Sequence, residues 1–416
     1  HCMNDNNISQ LHKPEPTDLL QQVLKKGAQQ LLAQAIEAEV QQLLADHKGL
    51  LTEDGKTGLV RNGYLPERTI QTGLGDIDVK VPKVRDRTDN GIKFNSSLVP
   101  PYLKRSQSVE EFLPWLYLRG ISTGDFSESL KHLLGEEAKG LSAATISRLK
   151  ASWEADFTQW QKRDLTKKRY VYVWADGVYC NVRMGDKVCL LVIIGSDELG
   201  NKELIAVSDG YRESEESWSE VLLGLKQRGL STEPKVAIGD GALGFWKALA
   251  RCWPTTQGQR CWVHKTANVL AKLPKSMQPK VKSALHEIWQ SETKEQANKN
   301  LDNCIELFEA KYPKAMKCLV KDREALLVFY DFPAEHWGHL RTSNPIESVF
   351  ATVRLRTTKS KNCGSRATTL AMVLKLMETA QKRWHRLRGY NLLADVITGV
   401  KFRDGIKLEQ QGQDAA

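Results

Sequence analysis

Three acidic residues invite a chemical reading: Asp176 within VYVWADGVYCNVR, Asp240 at the end of VAIGD, and Glu347 in TSNPIESVF. A carboxylate in the middle of an apolar, strand-like run is out of place unless something draws it there. Carboxylates in company hold hard divalent cations. Mg²⁺ prefers their oxygens, usually keeps waters, and takes few protein ligands plus phosphate. Two such ions about 3.5–4 Å apart clamp the attacking and leaving oxygens of a phosphodiester during in-line displacement. Three carboxylates suffice for that, one bridging the ions, and the repulsion among them is relieved by the cations. Each residue also has a plain structural alternative. Asp176-Gly177 is a hairpin-turn pair, Asp240 is a suitable helix N-cap, and Asn344-Pro345 followed by Glu347 reads as a capping box.

The elements that must position them emerge from periodicity. Strand-like runs at 169–183, 187–195 and 202–208 precede a helix from about Ser214 to Leu230. VAIGD then forms a buried strand, ALGFWKALARCW a helix, and GQRCWVH a strand leading into another helix. Three tightly connected strands followed by strands alternating with helices predict a mixed sheet between helical layers. Asp176 falls on its opening strand, Asp240 ends the next buried strand, and Glu347 starts a late helix beyond an all-helical stretch. Asp–Asp–Glu in this order on an α/β core is the ribonuclease H-like arrangement, expected here with a mixed five-stranded sheet.

Upstream, residues 17–47 repeat apolar residues at helical spacing, and 68–82 alternate at period two around Gly73 and Gly75. Residues 106–160 read as three helical segments, the third capped by Ser142. A helix–turn–helix there would present Ala143, Thr145, Ser147 and Arg148 to base edges. The expected organisation is a helical N-terminal region over 1–60 (a possible dimer contact), a β-hairpin segment over 61–105 and a helical DNA-binding domain over 106–165. A catalytic core over 166–264 and 338–360 follows, interrupted by a helical insertion over 265–337, with a basic helical tail over 361–416.

The 416 residues carry a net charge of +10, with a pI near 9.1. That favours a polyanionic partner, nucleic acid above all. Between Arg341 and Arg388 eleven basic residues face two acidic ones, Glu347 and Glu378. Arg341, Arg354, Arg356, Lys359, Lys361 and Arg366 are therefore candidate phosphate contacts. The eight cysteines are scattered without paired spacing, which suits a reducing cytoplasm. Mean hydropathy is −0.43, and no apolar run reaches the ~18–20 residues of a membrane span. Cys261 and His264 form a Cys-x-x-His pair, but a structural zinc site needs four ligands and no second pair stands at zinc spacing.

VWADGVY, AIGDGALGFWKAL, QRCWVHKTANVL and TSNPIESVFATVRLRT, together with RNGYLPERTIQTGLGDIDVKVPKVRDR and ISRLK, resemble the Mutator-like bacterial transposases of the insertion sequence two-five-six family. The resemblance runs from roughly residue 18 to 403. It implies a DDE transposase that binds terminal inverted repeats on double-stranded DNA. Such an enzyme cleaves and transfers strands with two Mg²⁺ or Mn²⁺ ions held by Asp176, Asp240 and Glu347. It also implies a circular element intermediate, a homodimer on DNA, and a structural or site-supporting role for Cys261 and His264. The alternatives are a related nuclease or resolvase that does not join strands, and a non-catalytic DNA-binding regulator.

Overall fold

The structure is a computed structural model that describes residues 19–88, 90–106, 109, 143–181, 187–210, 212–359 and 365–408. The chain divides into two units, His1–Ala143 and Ala144–Ala416. In the first, helix α1 (Leu19–Asp46) lies on two antiparallel strand pairs. These pair β1 (Leu59–Tyr64) with β4 (Pro82–Asp86), and β2 (Arg68–Thr72) with β3 (Gly75–Val79). Ile36 of the helix packs with Ile70, Ile77, Val79, Val81 and Val99, and Val40 with Leu59 and Val84. Gly75 takes a left-handed φ of 98° in the β2–β3 turn, where a side chain would be strained. The expected hairpin at 68–82 is thus present. The amphipathic stripe of α1 is only partly covered, since Leu19, Val23 and Leu24 are exposed. Ser142 and the first two helical segments expected before it lie outside the described residues.

The second unit begins with α2 (Ala143–Gln161), the third of those segments. It buries Trp153 and Phe157, and its Glu154 accepts a hydrogen bond from Thr368 Oγ1 at 2.6 Å. Its centre is a five-stranded sheet in the order β7-β6-β5-β8-β9, formed by β5 (Tyr170–Asn181), β6 (Lys187–Asp197), β7 (Lys202–Gly210), β8 (Val236–Gly239) and β9 (Gln257–Arg260). The first three strands run antiparallel as hairpin neighbours, and β8 and β9 add in parallel. This is the mixed α/β sheet expected from the sequence.

Alternation along β5 separates two layers. Val173 and Ala175 pack with Trp218, Leu222 and Leu225 of α3 (Glu215–Gln227) and with Phe245 and Leu249 of α4 (Leu243–Cys252). Tyr172 and Trp174 project to the opposite face, where the Tyr172 hydroxyl meets His336 Nδ1 at 2.8 Å and Trp174 Nε1 donates to the His339 carbonyl at 2.9 Å. Asp176 is the next residue on that second face. It pairs with Val192 and Gly177 with Leu191 in the β5–β6 ladder, so the Asp-Gly pair is mid-strand and not a turn.

After β9 the described chain is helical as far as Leu340, through α5 (Trp262–Leu270), α6 (Gln278–Trp289), α7 (Lys294–Phe308) and α8 (Pro313–Val320). Buried polar ties hold this segment to the sheet. Gln259 accepts from the Phe329 N–H at 2.8 Å and donates to the Leu326 carbonyl at 3.1 Å. Lys265 pairs with Asp322 and donates to the Cys318 carbonyl. Helix α9 (Asn344–Lys359) then returns to the sheet, burying Ile346, Phe350 and Val353, and α10 (Arg366–Gln381) follows. Among the described residues, no helix is long and apolar enough to cross a membrane.

Candidate active site

Strand register sets the first two carboxylates side by side. Trp174 pairs with Ile238 across the parallel β5–β8 ladder. Asp176 and Asp240 each lie two residues further on, Asp176 within β5 and Asp240 just past the end of β8, on strands roughly 4.8 Å apart. Cys261 follows the end of β9 and donates its N–H to the Gly239 carbonyl at 2.8 Å. Three neighbouring strands therefore deliver Asp176, Asp240 and Cys261 to one rim of the sheet.

The loop carrying Asp240 is tightly held. Its carbonyl accepts from Trp246 Nε1 at 2.8 Å and from Arg260 at 2.9 Å, with the guanidinium stacked 4.0 Å from the Trp246 ring centroid. Its Oδ1 accepts from the Ala242 N–H at 2.8 Å. Asp240 thus closes the turn before α4 and does not cap it, because Ala242 occupies the cap position.

Glu347 comes to the same rim on the first turn of α9. The helix begins one residue earlier than the capping-box reading placed it. Ser343, not Asn344, accepts the first backbone bonds, from Ile346 and Glu347. Ser343 Oγ donates to Glu347 Oε1 at 2.8 Å and lies 3.3 Å from both Cys261 Sγ and His264 Nδ1. His264 Nδ1 is 3.8 Å from Glu347 Oε1.

Electrostatics report the gathering of charge. Asp176 is 7% exposed. Burial chiefly, with the charges of Asp240 and Glu347 added and His264 opposing, raises its pKa from 3.8 to about 6. The imidazole of His264 is pushed up to about 9, first by its hydrogen bond with Cys261, with Asp176 and Glu347 also favouring its charge. Burial pushes the Cys261 thiol up, but hydrogen bonds with His264 and Ser343 outweigh it and leave the pKa lowered.

A fourth carboxylate, Glu213, stands in this field, and no sequence feature singled it out. Burial, then Asp240 and Asp176, raise its pKa from 4.5 to about 7. It lies between β7 and α3, after Arg212 in a left-handed conformation with φ 64° that costs about 1–3 kcal/mol. Two glycines make room for it. A Cβ on Gly177 would sit 2.5 Å from Glu213 Cδ, and one on Gly244 2.2 Å from the Glu213 carbonyl oxygen. The available signal was an acid directly before Ser214, which caps α3 through the Ser217 N–H, but acids at helix starts are too common to mark a site.

Among the basic candidates, Arg341 faces inward. It donates to the Trp289 carbonyl at 2.6 Å, with its guanidinium 5.0 Å from the Trp289 ring centroid. Its side chain clamps the helical segment. Arg148 and Arg354 are exposed. Arg366 is exposed and paired with Asp209. The side chains of Arg356 and Lys359, and all of Lys361, lie outside the described residues. Cys261, His264 and Glu347 place ligand-type atoms within 4.8 Å of one another. The space among them is filled by the Ser343 hydroxyl, at distances well beyond the 2.0–2.3 Å of zinc ligation.

A helix-flanked mixed sheet thus carries, on one side, carboxylates close enough for their charges to act on one another. The family model for "Transposase, Mutator family" matches residues 4–387. The chain belongs to that family, and it is an insertion-sequence transposase. It is 50% identical to the transposase for insertion sequence element IS6120 of Mycolicibacterium smegmatis over 303 residues, covering 73% of this chain and 93% of that protein. Its identity to the transposase for element IST2 of Acidithiobacillus ferrooxidans is 51% over 286 residues, with 67% and 95% covered. The transposase for IS256 in transposon Tn4001 of Staphylococcus aureus is 28% identical over 303 residues, with 71% and 74% covered. Among solved structures, the Drosophila P element transposase strand transfer complex gives a TM-score of 0.28 at 10% identity, covering 69% of this chain and 84% of that one, too distant to carry weight.

Proposed function

We propose that the protein is a DDE transposase with a ribonuclease H-like catalytic core, in which Asp176, Asp240 and Glu347 hold two Mg²⁺ or Mn²⁺ ions. The donor set fits hard cations, being partly buried carboxylates whose charges repel one another without a counter-charge. When bound, two such ions would activate an attacking oxygen and stabilise the leaving one at a DNA phosphodiester. Asp176 supplies the buried carboxylate, fixed by its strand. Asp240 offers its second oxygen, since Oδ1 is engaged by Ala242. Glu347 approaches from α9, and Glu213 provides a fourth carboxylate that neutralises positive charge at the rim. The observation that carries this reading is the register that levels Asp176 with Asp240, with Glu347 close enough for its charge to act on Asp176.

The substrate is double-stranded DNA bearing the element's terminal inverted repeats. Hydrolysis frees a 3′-hydroxyl, which then attacks another strand at the same site, in keeping with a circular intermediate. Exposed Arg148, Arg354 and Arg366, with Arg356, Lys359 and Lys361, contribute phosphate contacts. Two copies act on paired ends, with the exposed stretch of α1 as a candidate contact. The test is purified protein with labelled element ends and Mg²⁺, scored for nicking and for joining of pre-cut ends. Asp176→Asn, Asp240→Asn and Glu347→Gln are each expected to lose cleavage by on the order of 10²–10³-fold or more while still binding ends. Nicking without joining would replace the reading with a nuclease. Undiminished activity in Asp176→Asn would remove the metal site.

A further inference from the structure

The Cys-x-x-His element is unexplained by the carboxylate chemistry, and its connections converge on one buried hydroxyl. We infer that Ser343 is the positioning residue through which Cys261 and His264 set the orientation of the Glu347 carboxylate. The inference rests on the reading of Glu347 as a metal-holding residue.

Ser343 is 0% exposed, so every polar group it carries must find its partner inside the protein. Its hydroxyl has one proton and three polar neighbours: Glu347 Oε1 at 2.8 Å, Cys261 Sγ at 3.3 Å and His264 Nδ1 at 3.3 Å. The carboxylate at 2.8 Å is a stronger acceptor of that proton than the Cys261 sulfur at 3.3 Å, which leaves a lone pair to face His264 Nδ1. In that arrangement His264 Nδ1–H donates to Ser343 Oγ, and the hydroxyl is polarised towards Glu347. The backbone adds three bonds. The Ser343 N–H donates to Cys261 Sγ at 3.3 Å, and the Ser343 carbonyl accepts from Ile346 at 2.9 Å and Glu347 at 3.1 Å. Segments 261–262 and 341–343 are further stitched by the Trp262 N–H, which donates to the Arg341 carbonyl at 2.9 Å.

These bonds form a continuous line. The Gly239 carbonyl at the end of β8 holds the Cys261 N–H, Cys261 holds Ser343, and Ser343 holds Glu347. The carboxylate on α9 is thereby referenced to the strand that delivers Asp240, although far apart in sequence. Rigid outer partners of this kind typically change metal affinity or activity by about 10–100-fold when removed.

The experiment measures single-turnover end cleavage and Mn²⁺ binding by calorimetry for wild type, Ser343→Ala, Ser343→Thr, His264→Ala and the Ser343→Ala/His264→Ala double variant, with Glu347→Gln as control. Expected is a 10–100-fold loss of cleavage or weaker Mn²⁺ binding in Ser343→Ala, with DNA binding unchanged and Ser343→Thr within a few-fold of wild type. The double variant should be no worse than the poorer single, because residues acting as one unit are non-additive. Should Ser343→Ala fail to fold by circular dichroism, Ser343→Thr and His264→Ala decide on the same two readouts. Cleavage and Mn²⁺ binding within threefold of wild type in Ser343→Ala, or fully multiplicative losses in the double variant, would overturn the inference. Retained cleavage in Glu347→Gln would instead remove the catalytic reading on which it rests.

Discussion

Asp176→Asn should stabilise the metal-free protein while abolishing its chemistry. The carboxyl of Asp176 is buried among other acids, and its pKa is raised from 3.8 to about 6. A shift of roughly two units corresponds to about 3 kcal/mol of preference for the protonated form. An acid whose folded pKa lies above its unfolded value binds its proton more tightly in the folded state. Its contribution is therefore most favourable below about pH 4, declines as pH rises through the window from 4 to 6, and stays lost above it. Asparagine carries no charge to bury, and its amide oxygen can still accept the Gly177 N–H that Asp176 Oδ1 accepts at 2.9 Å. Urea unfolding in EDTA, followed by tryptophan fluorescence, should show the variant more stable by up to about 3 kcal/mol at pH 8, with about half that gain at pH 5. Adding Mg²⁺ at pH 8 should raise the wild type and leave Asp176→Asn nearly unmoved, because the cation relieves a repulsion that the variant lacks. A variant less stable than wild type at pH 8, or equal stabilisation of both proteins by Mg²⁺, would refute the account of a charge-strained, cation-seeking cluster.

Glu213→Gln should raise the Mg²⁺ concentration needed for half-maximal cleavage by about tenfold, and Gly177→Ala should do the same in metal titrations, since its Cβ would stand 2.5 Å from Glu213 Cδ. Lys265→Ala leaves Asp322 with Arg260 as its remaining counter-charge and should cost about 1.5–3 kcal/mol for the lost charge-assisted bonds, read as a lower urea midpoint. Arg366→Ala should reduce the slope of log affinity against log salt by about 0.9 if the side chain leaves Asp209 for a phosphate; an unchanged slope in filter-binding titrations assigns Arg366 to the ion pair alone.

The mixed five-stranded sheet, and the strand and helix positions of Asp176, Asp240 and Glu347, are legible in the sequence because their signals are local and periodic. The apolar run of β5 declares a strand, the helical spacing after Ser214 declares α3, and an acid inside an apolar strand announces an obligation elsewhere. What the sequence hides depends on contacts between segments distant along the chain. Glu213 resembles an ordinary helix-start acid until Gly177 and Gly244 are seen to open space for its carboxyl and backbone. Arg341 belongs by sequence to a basic tract flanking Glu347, yet its guanidinium is taken up by the Trp289 carbonyl and ring. Charge counts along a sequence cannot separate an arginine that reaches solvent from one that closes a core. Ser343 differs again: its neighbours Asn344 and Pro345 give a sound capping signature, and the one-residue displacement of the helix start looks trivial. That displacement puts a buried hydroxyl, where solvent-facing Asn344 would have been, between Glu347 and the Cys-x-x-His pair. A register shift at a helix end is thus small as secondary structure and large as chemistry, because it decides which side chain governs the carboxylate.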